Sequence, residues 1–134
     1  MTHKIVPRIF QAAHRISVFI EEAKIGITPA EAFVLSALAD QGDATIARLH
    51  RAFGHKRSTL TSILDRLEAR GYVSRQLTKL DRRTYIIHLS AAGLKAAAAI
   101  RKLLTGFEKR VLGAVTGQQV KGFEAVVDAV AATR

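Results

Sequence analysis

Two clusters of side chains in this chain could do chemistry, and both lie between Thr45 and Ser90. The first is the run KRSTLTSILDRLEARG, Lys56 to Gly71, which gathers Ser58, Thr59, Thr61 and Ser62 near its start. Hydroxyls on a helix face can donate to or accept from base edges, and short side chains let a helix lie deep in a major groove. The second is TKLDRRT, Thr78 to Thr84, where Lys79, Arg82 and Arg83 surround the single carboxylate of Asp81. Clustered cations neutralise phosphates, and arginine is favoured where a narrow minor groove concentrates negative potential. Serine and threonine also serve simply to solvate an exposed face. The nearby basic tip and the short turn before Lys56 are what point to a duplex.

The elements that must position these groups can be read from apolar spacing. Leu60, Ile63, Leu64 and Leu67 fall at i, i+3, i+4 and i+7, the inward face of a helix. A step of about 100° per residue puts Ser58, Ser62, Asp65 and Ala69 opposite, with Thr61 and Arg66 on the flanks and Thr59 beyond Arg66. Upstream, Thr45 can cap a helix whose Ile46, Leu49 and Phe53 form one narrow face and whose end is Gly54. The turn Gly54-His55-Lys56 is so short that the two helices must cross steeply, as in a helix-turn-helix. Downstream, Arg70 and Gly71 close the helix. Tyr72 to Leu77 and Tyr85 to Leu89 then read as the strands of a hairpin with a basic tip. Arg57, Ser58, Thr61 and Ser62 are expected at groove edges or the adjacent backbone. Lys56, Arg75 and Lys79 are expected at phosphates, and Arg82 with Arg83 in the wing. Arg66 fits either a phosphate or a pairing with Asp65.

The flanking stretches are helical. Lys4 to Ile27 carries apolar residues at threes and fours, with Val6, Phe10 and Ala13 widening the surface beyond one stripe, which suits a second chain. Thr28-Pro29-Ala30-Glu31 is a helix start with a capping box, and the helix is expected to reach Asp40 and bury Phe33, Val34, Ala37 and Leu38. Ser90 can cap a long helix from Ala91 to about Val115. Thr116 with Gln119 opens a last one that buries Val120, Phe123, Val127 and Val130.

At 134 residues the chain is the size of one domain, and 49% hydrophobic residues suffice for a core. Six Phe, two Tyr and no Trp argue against a stacking platform for single strands. Lys and Arg number 21 against 11 Asp and Glu, for a formal net charge of +10. Residues 43–90, just over a third of the chain, hold +6 of it. A strongly basic balance is the electrostatic footprint of a nucleic-acid binder. The absence of Cys excludes disulfides, zinc ribbons and thiol switches. No apolar run is long enough to span a bilayer and no signal-peptide layout is present, so a cytoplasmic location is expected.

The run just described resembles the MarR family of bacterial transcription regulators. The resemblance is carried by Arg57-Ser58-Thr59-Leu60-Thr61, by Asp65 through Arg75 (DRLEARGYVSR), by Asp81-Arg82-Arg83 and by His88-Leu89-Ser90-Ala91-Ala92-Gly93. The order of elements from Lys4 to the end matches as well. It implies a mainly α fold with a small β-wing, a winged helix-turn-helix over 28–90, and dimerisation helices in 1–27 and 91–134 of one domain, 1–134. It further implies a homodimeric, ligand-responsive repressor on an imperfect palindromic operator in double-stranded DNA. Asp81 would brace the wing, Arg83 would point to DNA, and the effector would be small and often phenolic. Lys56 departs from the pattern, because the family commonly has Ser or Thr before the recognition helix. Losing such a cap costs about 0.5–2 kcal/mol unless another group, such as His55 or a water, replaces it.

Other chemistries find less support. His3, His14, His50, His55 and His88 have no metal-like spacing, and no cofactor is implied. No catalytic triad, carboxylate pair or phosphate loop stands in a supporting context, so an enzyme is not expected. The competing reading is a winged-helix architectural protein that coats DNA without strong sequence preference.

Overall fold

The computed structural model describes residues 2–54, 56–78 and 84–134. Its elements are α1 (Val6–Glu22), α2 (Pro29–Gln41), β1 (Ala44–Thr45), α3 (Ile46–Phe53), α4 (Arg57–Ala69), β2 (Val73–Leu77), β3 (Tyr85–Leu89), α5 (Ala91–Leu112) and α6 (Gly117–Ala132). This is the mainly helical winged helix-turn-helix that the spacing predicts. The chain divides into two compact units, Met1–Ile100 and Arg101–Arg134. Residues 91–100 of α5 belong to the first and the rest of the helix to the second.

The first unit is built around α2 and α4. Ala32, Val34, Leu35 and Leu38 of α2 meet Leu60, Ile63, Leu64 and Leu67 of α4 in a core closed by Ile20, Leu49, Ile87 and Ile100, all buried. Phe33 lies outside it at 41% exposure and Ala37 is half-buried, against expectation. α2 packs against α1, α4 and β3, so its burial follows several neighbours rather than one stripe. Of Ile46, Leu49 and Phe53, the expected inward face of α3, only Leu49 is fully buried; Ile46 and Phe53 are half-buried.

The boundaries follow local chemistry. α1 stops at Glu22, short of the Ile27 that periodicity suggests, because Lys24 (φ 53°) and Gly26 (φ 73°) turn the chain left-handed and send Ile27 into the core. Thr28 then caps α2. Its hydroxyl accepts from the Glu31 N–H at 3.2 Å, and its own N–H donates to Glu31 Oε1 at 3.0 Å. Glu31 is 2% exposed, and its other oxygen lies 3.8 Å from the Arg70 guanidinium, which also sits 5.0 Å above the Tyr72 ring. A buried carboxylate is tolerable only with such partners. Helix α3 starts at Thr45, whose hydroxyl accepts from the Arg48 N–H, and ends at Gly54 in the left-handed region.

The sheet has the order β1-β3-β2, antiparallel throughout. β2 and β3 form the wing stem, in register from Val73↔Leu89 to Leu77↔Tyr85. β1 is a two-residue addition, Ala44 opposite Ile87 and Thr45 opposite Ile86, with no counterpart in the sequence reading.

In the second unit, α5 ends at Leu112, three residues before the expected Val115. Thr116 and Gln119 form the reciprocal box that opens α6. No residue of α6 is buried, and Phe123, Val126, Val127 and Val130 are exposed.

Candidate nucleic-acid interface

The outward face of α4 is built by its inward one. With Leu60, Ile63, Leu64 and Leu67 in the core, Arg57, Ser58, Thr59, Ser62, Asp65 and Arg66 face solvent. Thr61 is half-buried, and its hydroxyl donates to the Arg57 carbonyl at 2.9 Å. Its proton is therefore committed to the helix, and toward a ligand Thr61 can only accept. Lys56 is exposed at the N-cap position and makes no side-chain cap bond, so the α4 N-terminus is open to an incoming anion. Lys79, Asp81, Arg82 and Arg83 fall outside the described residues, as does His55.

Arg75 is placed differently from its expected role. On β2 it turns toward α4, where its guanidinium lies 2.5 Å from Asp65 Oδ1 and 3.4 Å from Glu68 Oε2. Those carboxylates sit one helical turn apart, so a single fork clamps the wing stem to the recognition helix. Its charge is balanced within the protein by these two carboxylates. The pairing also settles the partner of Asp65, which is Arg75 and leaves Arg66 exposed. Replacing Arg75 by alanine is expected to lower stability by about 1 kcal/mol, because Asp65 and Glu68 are about half exposed. Arg75→Lys should recover only part of it, since an ammonium lacks the planar fork. Urea unfolding of the two variants checks this.

Two further ties hold the wing, and spacing alone did not reveal them. On the opposite face of the sheet, His88 Nδ1 lies 2.7 Å from Asp43 Oδ1, joining β3 to the residue before β1. At the wing base, Ser90 donates its N–H to the Tyr72 carbonyl at 3.0 Å and its hydroxyl to the Gly71 carbonyl. The same hydroxyl accepts from the Gly93 N–H at 3.0 Å. The start of α5 is thereby pinned across the end of α4. Ser90 thus does more than cap α5. Among the described residues no His, Asp or Glu cluster could hold a metal ion, and no helix is long and apolar enough to cross a membrane.

Comparison with known proteins agrees with this geometry. Residues 25–84 match the MarR family. A curated relative, the HTH-type transcriptional repressor MdtR of Bacillus subtilis (strain 168), is 33% identical over 70 residues, 52% of this chain and 45% of that protein. The chain thus spans about half the length of the first curated relatives it matches. Among solved structures, BpsR of Bordetella bronchiseptica superposes with a TM-score of 0.86 at 17% identity, over 100% of this chain and 97% of the other. The MepR–DNA complex of S. aureus gives a TM-score of 0.85 at 17% identity, over 96% of each chain. At such identities the likeness is one of fold. The family match lies on the helix-turn-helix and wing, and the chain is similar to the MarR family over that part and shares the fold of these solved structures along its length.

Proposed function

We propose that this chain is a homodimeric, sequence-specific double-stranded-DNA-binding transcriptional regulator, a cytoplasmic repressor that answers to a small effector. One observation carries the reading: an exposed, hydroxyl-lined face on α4, held rigid by four core leucines and isoleucines and clamped through Arg75 to a wing stem. A site on rigid elements reads bases more reliably than one on loops. Arg57, Ser58, Thr59, Thr61 and Ser62 would meet groove edges or the adjoining backbone. Lys56 and Arg66 would meet phosphates. Lys79 would meet phosphates as well, and Arg82 with Arg83 would serve the wing at the neighbouring minor groove, with Asp81 bracing it.

The flanking helices support the dimer. Phe10 on α1 is 73% exposed and Phe123 on α6 is 62% exposed, large apolar groups that a second copy would cover. The lobe 28–90 would then bind DNA, with 1–27 and 91–134 pairing the copies. Relatives lend their own names to the proposal. MdtR is described as a repressor, MepR has been crystallised with DNA, and the DNA binding of BpsR is regulated by 6-hydroxynicotinic acid.

Selection of duplexes from a random pool by the purified protein tests the proposal. The expected result is an imperfect palindrome with half-sites about one helical turn apart, bound roughly 10³-fold or more tighter than random DNA. Uniform retention of all sequences would point to DNA coating instead, and retention of none would overturn the proposal.

A further inference from the structure

Leu77 and Tyr85 stand directly opposite each other on the wing stem, 52% and 45% exposed. Side chains alternate along a strand, so they share a face with Val73, Arg75, Ile87 and Leu89. That face begins as core, where Val73, Ile87 and Leu89 are buried. It passes α4 at Arg75, which grips Asp65 and Glu68. It emerges beyond the clamp as an open apolar step, about 6–7 Å further along the strands.

Scattered exposed apolar residues are ordinary. The position of this pair is what matters, because it ends the described wing stem two residues beyond the tie to the recognition helix, within a segment whose sequence carries +6. A helix in one groove and a wing reaching toward the next must have a sugar-phosphate strand between them. Deoxyribose is apolar and phosphate is an anionic acceptor. Tyrosine matches both, with a flat apolar ring and a hydroxyl donor, and is among the side chains that bond phosphate oxygens.

We propose that Leu77 and Tyr85 seat the backbone strand that separates the two grooves, with Leu77 and the Tyr85 ring packed on deoxyribose and the Tyr85 hydroxyl donating to a phosphate. The inference rests on the DNA-binding proposal above. The duplex backbone is the favoured occupant because the segment is cationic in sequence and the step lies two residues along the strand from Arg75, which ties the wing stem to α4.

The experiment measures binding of the full chain, by fluorescence anisotropy, to a selected duplex and to a random one across a salt series. Tyr85→Phe is expected to weaken both by about tenfold. The specificity ratio should stay unchanged, because a backbone contact carries no sequence information. The slope of log affinity against log salt should stay unchanged too, because a neutral phenol releases no counterion. Leu77→Ser should weaken both duplexes similarly. Tyr85→Phe keeps the ring, so its thermal midpoint should match the parent and remove folding as an explanation. Unaltered affinity in both variants would overturn the inference and indicate a different occupant, such as a protein. A lowered specificity ratio for Tyr85→Phe would overturn it as well, since the hydroxyl would then read a base. Failure of the parent protein to bind any duplex would sink the underlying proposal instead, and the two failures are separable.

Discussion

Replacing Gly93 by alanine is expected to destabilise the fold by about 3 kcal/mol or more. The direction runs against intrinsic propensity. Gly93 lies inside α5, where alanine is normally better than glycine by about 1 kcal/mol. A Cβ built on Gly93, however, would lie 2.0 Å from the Tyr72 carbonyl oxygen and 3.0 Å from Leu89 Cδ2. That oxygen is backbone, and it already accepts the Ser90 N–H at 3.0 Å. Making room would pull the start of α5 off the wing base and break the bonds that Ser90 makes to Gly71 and Tyr72. Gly106 in the same helix is the control, with nothing within 4 Å of its built Cβ. Gly106→Ala should stabilise by about 0.5–1 kcal/mol. Urea unfolding of both variants reads the opposite signs directly. Equal effects would remove the close approach as the reason for Gly93.

Affinity for the selected duplex is expected to fall about a thousandfold or more between 50 and 200 mM salt. That is the loss when some 6–10 phosphate contacts release their counterions. The net charge of +10, with +6 in residues 43–90, supplies enough cations for such a count, and the proposed dimer would double them. The slope can be assigned to residues. Lys56→Ala should lower it by about two, one for each copy of the proposed dimer, because among the described residues no acid pairs with this exposed ammonium at the open end of α4. Arg83→Ala should lower it similarly and weaken operator binding without unfolding the dimer. Arg75→Ala should leave the slope almost unchanged, because Asp65 and Glu68 already balance that guanidinium. A salt-insensitive complex would contradict phosphate anchoring. A slope change for Arg75 equal to that of Lys56 would mean the clamp opens on DNA.

The contrast between Lys56 and Arg75 shows where the sequence was legible. Both are cations in a basic segment, and spacing treats them alike. For Lys56, position is enough: it precedes the first turn of α4, and the missing cap could be foreseen from residue type. For Arg75, the role depends on how close β2 comes to α4, which local periodicity does not encode. The same limit explains Phe33. Its helix was foreseen, with its cap and its stop, but not which of its apolar residues would be left outside once three elements had packed around α2.

Strongly periodic stretches and caps were determined locally. The apolar face of α4, the boxes at Thr28–Glu31 and Thr116–Gln119 and the left-handed stop at Gly54 all follow from interactions within a few residues of one another. The hydroxyl-lined face follows with them, since a face turned inward by four apolar residues turns its opposite outward. Only the tertiary structure decided the rest: the Asp65–Arg75–Glu68 clamp, the Asp43–His88 tie, the two-residue β1, and the contact that makes Gly93 necessary. Each depends on distances between separate elements of the fold. Those distances are set by how the core packs, and a period of 3.6 or 2 carries no information about them.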